Sequence, residues 1–314
     1  MDVVSDAIAA VRTGSPSANR LQVNGSWCVR LAPYEGAGFH VALTGTCWLL
    51  PDGGPPLTLR RGDAVLLPHG AGHVLADSPA APAALARAVP FEQLPALPPA
   101  SGPGTVELLC GKYRLDRSHT HPLLTELPDV IHLPYDDERH PELRSAIGLL
   151  SQEAATARPG SCAAVPSLLD LLLVYMIRAW TTGPAGRTTA RWPAALADPV
   201  VTEALRLLHS DPAHPWTADR LATRTGVSRA TLNRRFTALV GRAPMTYLTW
   251  WRMTRAATLL RTATTPLDGV AREVGYGSPY ALSHAFRREF GVTPGRYRVR
   301  HAAARAGHTL NSLA

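Results

Sequence analysis

WTADRLATRTGVSRATLNRRFTALVG, residues 216–241, spells two short helices around one tight turn. Thr217 is placed to cap the first helix, with Leu221 and Ala222 facing inward, and Gly226 supplies the turn. Ser228 then caps a second helix whose Leu232, Phe236 and Leu239 recur at helical spacing on one side, which predicts a helix-turn-helix unit. The pattern returns at 265–294 in TPLDGVAREVGYGSPYALSHAFRREFGVTP. There Val270, Ala271 and Val274 make the short helix, Gly275-Tyr276-Gly277 the turn and Ser278-Pro279 the next cap, and Leu282, Phe286 and Phe290 face in up to Gly291. Between the two lies MTYLTWWRMTRAATLLR, residues 245–261, with Leu248, Trp251, Met253, Ala256 and Leu259 as core positions, a stiff helix able to join the units. Upstream, Asp198-Pro199 opens a helix through Val201, Leu205 and Leu208.

The outward residues near the start of each second helix are the candidates for nucleic-acid contact, because it is the N-terminal residues of such a helix that reach base edges. In the first unit these are Arg229, Ala230, Asn233 and Arg234; in the second they are Tyr280, Ser283, His284 and Arg287. Arginine suits guanine and asparagine suits adenine, each by a bidentate pair, so Arg229, Asn233 and Arg287 are expected to carry sequence discrimination. Arg235 and Arg242 lie where phosphate contact or solvation is expected. Charge agrees: residues 191–300 hold 17 Arg against 7 acidic residues, while residues 1–190 hold 14 basic against 17 acidic ones. A basic segment joined to a slightly acidic one suits a polyanion-binding module attached to a second domain.

Outside this region, residues 20–135 carry short apolar runs broken by Gly and Pro, among them FHVALTG, CWLLPDGG, AVLLPHG and VELLCGKYRL, the texture of an all-β domain. Residues 78–104, rich in Ala and Pro, read as a long irregular connection. From His140 the spacing turns helical through Leu143, Ile147 and Leu150, breaks at Pro159-Gly160 and resumes in VPSLLDLLLVYMIRAW, which predicts a helical hairpin. Its second helix is apolar nearly all round, through Leu168, Leu169, Leu171, Leu172, Leu173, Val174 and Met176, and calls for cover by another element or another subunit. Residues 181–197 read as a linker. Cys28, Cys47, Cys110 and Cys162 are scattered without CxxC spacing, which excludes a zinc finger and a disulfide framework and fits a reducing cytoplasm. No run approaches the ~18 consecutive apolar residues of a membrane helix, and the N-terminus lacks the pattern of an export signal, so no membrane partner is expected.

The run GVAREVGYGSPYALSHAFRREFGVTPGRYR, residues 269–298, resembles the signature of the second helix-turn-helix unit of the AraC family of bacterial transcription regulators, with Leu282 where an aromatic is common. The resemblance covers residues 198–300 and implies sequence-specific binding of double-stranded DNA. GDAVLLPHGAGHVLAD, residues 62–77, is similar to the second cupin motif: Gly62, Pro68, Gly70 and His73 stand at its spacing, with Asp77 where the motif has Asn. A cupin is a small antiparallel β-barrel with a pocket lined by inward side chains. The first cupin motif, which supplies most metal ligands, is degraded to His40, which by two-residue alternation shares a strand face with Ala42.

His40, Cys47, His73 and Cys110 are therefore the candidate effector-pocket residues. Imidazole and thiolate also suit zinc or another divalent metal, while Cys is often a buried apolar group. A third reading is redox, with Arg30 near Cys28 or Lys112 near Cys110 supplying a cation that activates a thiol. His119 and His121 form an HxH pair beside Pro122 that reads as a solvated loop, and His132 and His140 have no partner by spacing.

The expected fold is α+β: an N-terminal cupin-like antiparallel β-barrel with a helical hairpin, then a C-terminal all-α domain with two helix-turn-helix units. The expected division is a sensor at 1–139, a hairpin suited to dimerisation at 140–180, a linker at 181–197, a DNA-binding domain at 198–300 and a tail at 301–314. The expected function is a cytoplasmic, non-enzymatic transcription regulator, an activator, controlled by a small-molecule, metal or redox signal in the barrel. Its partners are double-stranded DNA, the effector, RNA polymerase and a second copy in a homodimer. The alternative is a cupin metalloenzyme, an oxygenase or isomerase, fused to a DNA-binding domain; it requires a full metal-ligand set.

Overall fold

The computed structural model describes residues 3–11, 15–79, 88–93, 104–115, 121–136, 138–156, 158–183 and 191–301. The chain divides into two compact units. One gathers the described residues within Met1–Val11, His119–Glu126 and Thr189–Ala314; the other holds those within Arg12–Ser118 and Leu127–Thr188.

The second unit is the β-rich one. Its first five-stranded sheet has the order β1-β9-β3-β6-β10, formed by Ser17–Val23, Val106–Arg114, Gly36–Thr44, Ala64–Leu67 and Ile131–Leu133. The other has the order β5-β4-β7-β2-β8, formed by Leu57–Arg60, Thr46–Pro51, His73–Ala76, Cys28–Leu31 and Val89–Pro90. The pairings are antiparallel save β2 with β8. Alternate residues of both sheets meet in one core of Leu21, Val23, Ala42, Cys47, Leu49, Leu59, Val65, Leu75, Val106, Leu108 and Cys110. Ala42, which shares a strand face with His40 by alternation, lies in it, as does Cys47.

Two motif glycines are required by backbone shape. Gly62 has φ 91° and Gly70 φ 59°, in the left-handed region, and a Cβ on Gly70 would stand 2.3 Å from the Tyr34 carbonyl oxygen. Within the Ala- and Pro-rich connection, residues 88–93 form β8 and a 3-10 turn; the segments 80–87 and 94–103 lie outside the described residues.

The hairpin is present as α3 (Pro141–Ala155) and α4 (Ser161–Thr182). Leu143 and Leu150 of α3 and Leu169, Leu172, Leu173 and Met176 of α4 are buried, whereas Leu149 and Leu171 are exposed. Tyr113 of β9 donates its hydroxyl proton to the Leu169 carbonyl at 2.6 Å, tying α4 to the first sheet. By length and composition α4 is apolar enough to cross a membrane, although no uninterrupted apolar run in the sequence is that long.

The helical unit holds α1 (Val3–Val11), α2 (Pro122–Thr125), α5 (Arg191–Ala197), α6 (Pro199–Ser210), α7 (Ala218–Thr225), α8 (Arg229–Val240), α9 (Pro244–Thr262), α10 (Leu267–Glu273) and α11 (Pro279–Phe290), with 294–301 also helical. Where residues 181–197 read as a linker, 191–197 form a helix that buries Trp192, Pro193 and Ala195. Periodicity over seven residues containing Pro is too weak to announce it.

Every expected cap is formed. Asp198 accepts from the amides of Val200 and Val201, Thr217 from Arg220, Ser228 from Thr231 and Ser278 from Ala281. Gly226 closes α7 at φ 71°. The core differs in detail: Val240 and Leu260 are buried, whereas Leu239, Leu259 and Phe290 are half-buried.

Candidate nucleic-acid interface and barrel core

On α8, Arg229, Ala230 and Arg234 are exposed and Asn233 half-buried, opposite the buried Leu232, Phe236 and Val240. On α11, Tyr280, His284 and Arg287 are exposed and Ser283 half-buried, opposite Leu282, Ala285 and Phe286. Tyr280 is 82% exposed, an unusual state for a large aromatic ring. All eight candidate DNA-contacting residues thus share the outer faces of the two second helices.

Arg229 lies 3.4 Å from Asp219, but both side chains are open to water, so the pair is weak and leaves the guanidinium available. Arg235 differs from expectation. Its guanidinium pairs with Asp198 at 3.0 Å, bracing α8 against the cap of α6 instead of standing free for phosphate. Arg242 lies over the Trp250 ring, 5.5 Å from its centre.

His121, expected in a solvated loop, is fully buried. His119 lies outside the described residues. The His121 Nδ1 accepts from the Leu123 amide at 3.1 Å, so its proton sits on Nε2, which donates to the Tyr247 hydroxyl oxygen at 2.9 Å. Tyr247 then donates to Nε2 of His209 at 2.7 Å, and Nδ1 of His209 donates to the Asp6 carboxylate at 2.9 Å. With both imidazoles neutral, every donor in this chain finds an acceptor. Aromatic rings wall it in: His209 stacks on Trp251 at 4.1 Å, and His121 lies 5.1 Å from Trp192 and 5.2 Å from Trp250. Arg261 of α9 donates to the Ala10 carbonyl at the end of α1, where a cation complements the helix dipole. Four elements far apart in sequence, α1, α2, α6 and α9, meet in this network, which spacing alone could not reveal.

In the β unit, three of the four candidate pocket residues form a second chain. His40 on β3 and Cys110 on β9 are direct cross-strand partners, and His73 reaches in from β7 of the other sheet. Nδ1 of His73 faces the Ala71 carbonyl at 2.9 Å and must carry a proton, leaving its Nε2 an acceptor. His40 therefore donates from Nε2 across 2.8 Å and accepts on Nδ1 from the Cys110 thiol at 3.1 Å.

Burial holds both imidazoles below their ordinary value; His40 is lowered further by His73, whereas the Ala71 carbonyl and Asp52 partly oppose the shift at His73. Burial also pushes the Cys110 thiol up, with Cys47 adding to the shift, and raises Cys47 to about 12. Cys28 is raised as well, by burial first and Asp77 second. No activating cation acts as expected: Arg30 is engaged by Asp52 at 2.7 Å, and Lys112 is exposed.

His40 spends its two nitrogens on two different groups, so Cys110, His40 and His73 lie in a line and not around a point. Among the described residues no group of three or more His, Cys, Asp or Glu is arranged to hold a metal ion. His132, without a partner by spacing, lies 3.3 Å from the buried Asp63. Asp63 also accepts from the amides of Arg60 and Tyr135, both at 2.9 Å.

Residues 2–182 match the Cupin family and residues 221–300 the Helix-turn-helix domain family. An AraC-like transcription regulator of Streptomyces lividans is 35% identical over 300 residues, covering 95% of this chain and 98% of that protein. A second AraC-like regulator, of Streptomyces antibioticus, is 35% identical over 304 residues, 95% of this chain and 98% of its own length. Among solved structures, the DNA-binding domain of AdpA in complex with a target DNA is 36% identical; the match covers 35% of this chain and 97% of that one, with a TM-score of 0.33. Sequence identity over nearly the whole length of these regulators shows that the chain belongs to the AraC family of DNA-binding transcription regulators, with a cupin domain ahead of its helix-turn-helix units.

Proposed function

We propose that this regulator's binding to promoter DNA in the cytoplasm is controlled by a chemical signal received in the barrel, and that α8 and α11 read the operator. The observation that carries the first half is the buried chain Cys110–His40–His73: polar, reactive groups placed in an apolar core that close packing alone does not need. A small-molecule or redox signal suits this chain better than a metal, because its three members do not converge. The metalloenzyme alternative requires that convergence. The signal acts by binding or reacting differently with two states of the protein, without which no population shifts. The test compares operator affinity of signal-saturated and signal-free protein, and equal affinities remove the proposal.

For the second half, Arg229, Asn233 and Arg287 carry base discrimination, with Arg229 and Arg287 directed at guanine and Asn233 at adenine. Ala230, Arg234, Tyr280, Ser283 and His284 complete the contact faces. Alanine at each of the three readers is expected to cost about 1–3 kcal/mol on the cognate operator and to relax preference at one base position. Fluorescence anisotropy against a panel of single-base operator variants measures this. Equal loss on every sequence would reassign that residue to the phosphate backbone. Arg234→Ala is expected to weaken all sequences alike and to reduce the slope of log affinity against log salt by about one.

A further inference from the structure

The thiol-imidazole chain in the barrel has one proton order, and that order is the one a reacting thiol needs. Cys110 donates to Nδ1 of His40, Nε2–H of His40 points at Nε2 of His73, and Nδ1–H of His73 is anchored on the Ala71 carbonyl. Among the described residues, Cys110 is the one cysteine hydrogen-bonded to an imidazole. Beyond His73 stands the Asp52 carboxylate, whose charge acts on that ring. Along this order a proton leaving the sulfur passes to Nδ1 of His40, and Nε2–H of His40 is aligned to pass on to His73, where Asp52 favours a proton while burial and Arg30, itself paired with Asp52, oppose it.

We propose that Cys110 is a modification site, oxidised to a sulfenic acid by a small uncharged hydroperoxide, with His40 as the proton acceptor and His73 as the relay behind it. The inference rests on the reading of the barrel as the control unit. The reagent class follows from the surroundings. Cys110 and His40 are 3% and 2% exposed, and Cys110 shares its core with Leu21, Leu49, Val65 and Leu108, so a charged or bulky oxidant is kept out. At rest the thiol stays protonated, which protects it from slow adventitious chemistry.

In the reaction the sulfur attacks the nearer peroxide oxygen, an S–O bond forms and the O–O bond breaks. Sulfur loses two electrons, the peroxide bond gains them, and the S–H proton travels through His40 to the departing hydroxide. With hydrogen peroxide the products are one sulfenic acid and one water; with an alkyl hydroperoxide the leaving alkoxide takes the proton and an alcohol replaces the water. Conversion of the thiol into a sulfenic acid replaces the S–H donor by an O–H one bond further out and adds an oxygen to a closely packed core, so the contact with Nδ1 of His40 has to be rearranged.

The test uses the full chain, reduced, treated with hydrogen peroxide at neutral pH while folded, and then unfolded in denaturant containing a 1,3-diketone that traps sulfenic acids, with peptide mass spectrometry reading the site. Labelling of Cys110 is expected after this oxidation of the folded protein. His40→Gln is expected to slow it by about a hundredfold, the lower end of what a positioned proton acceptor supplies, and His73→Gln by about tenfold. Labelling of Cys28 or Cys162 with Cys110 untouched overturns the proposal, as does an unchanged Cys110 rate in a folded His40→Gln protein. Should His40→Gln not fold, the wild-type site map and His73→Gln decide the matter alone. Operator binding is measured on the same samples. Labelled Cys110 with unaltered affinity leaves the chemistry standing and removes control by the barrel; unlabelled Cys110 removes the chemistry and leaves control by another signal standing.

Discussion

Tyr247→Phe is expected to destabilise the helical unit by about 2–4 kcal/mol while leaving its shape intact. The hydroxyl is the middle of a one-way chain: it accepts from His121 at 2.9 Å and donates to His209 at 2.7 Å. Removing it strands one N–H and one ring nitrogen in a wall of Trp192, Trp250 and Trp251, and each buried polar group without a partner costs about 1–3 kcal/mol. Within the chain from His121 to Asp6 each donor already has an acceptor. Asp6→Ala acts at the chain's end and is expected to cost a similar amount, because His209 then faces α1 with a buried, unmatched Nδ1–H. Urea unfolding of the two variants and of the double variant measures both costs and their coupling. A Tyr247→Phe loss below about 0.5 kcal/mol would mean that the hydroxyl is not the hinge of the network.

The second large effect is acid sensitivity. Burial lowers His40 and His73 in the barrel, and lowers His121 in the helical unit, where His209 and Arg242 lower it further. In the unfolded chain each returns to a value near 6.5. Below that pH the unfolded chain takes up protons that the folded chain refuses, so stability is complete above about pH 6.5 and falls as the pH drops towards the lowered folded values. A histidine held well below its ordinary value, as His40 and His121 are, removes about 1 kcal/mol between pH 6.5 and 5.5. The barrel is expected to lose about that much from His40 over the first unit, with His73, whose lowering is partly opposed, adding to it in the same direction. Urea midpoints at pH 7.5 and 5.5 report it, and His40→Gln should flatten the dependence. A midpoint that is level over this range would mean that these imidazoles accept protons without unfolding.

Much of this was legible in the chain because its signals are local. Thr217, Ser228 and Ser278 cap helices that begin one residue later, and Gly226 turns between two of them, all within reach of one another along the backbone. The motif around His73 and the alternation that turned His40 inward brought two sheets to the right pair of rings. His121 shows the limit. In RSHTHPLLTELP nothing distinguishes it from a surface histidine, since Tyr247, His209 and Asp6 lie far away in sequence. Arg235 failed for the same reason, its partner Asp198 being a cap whose free oxygen no periodicity discloses. The helix at 191–197 was hidden by its Pro and by its shortness, and it owes its place to Trp192.

The network around Tyr247 has a consequence for inheritance. Its carboxylate at position 6 precedes the barrel strands and its histidine at position 121 lies between β9 and β10, yet they complete the core of the part that binds DNA. A recombination event that grafted residues 189–314 onto a foreign sensor would deliver a reading head with an unfinished interior. A graft that keeps this interior whole carries Asp6 and His121 along, or replaces His209 and Tyr247 with apolar residues in the same step.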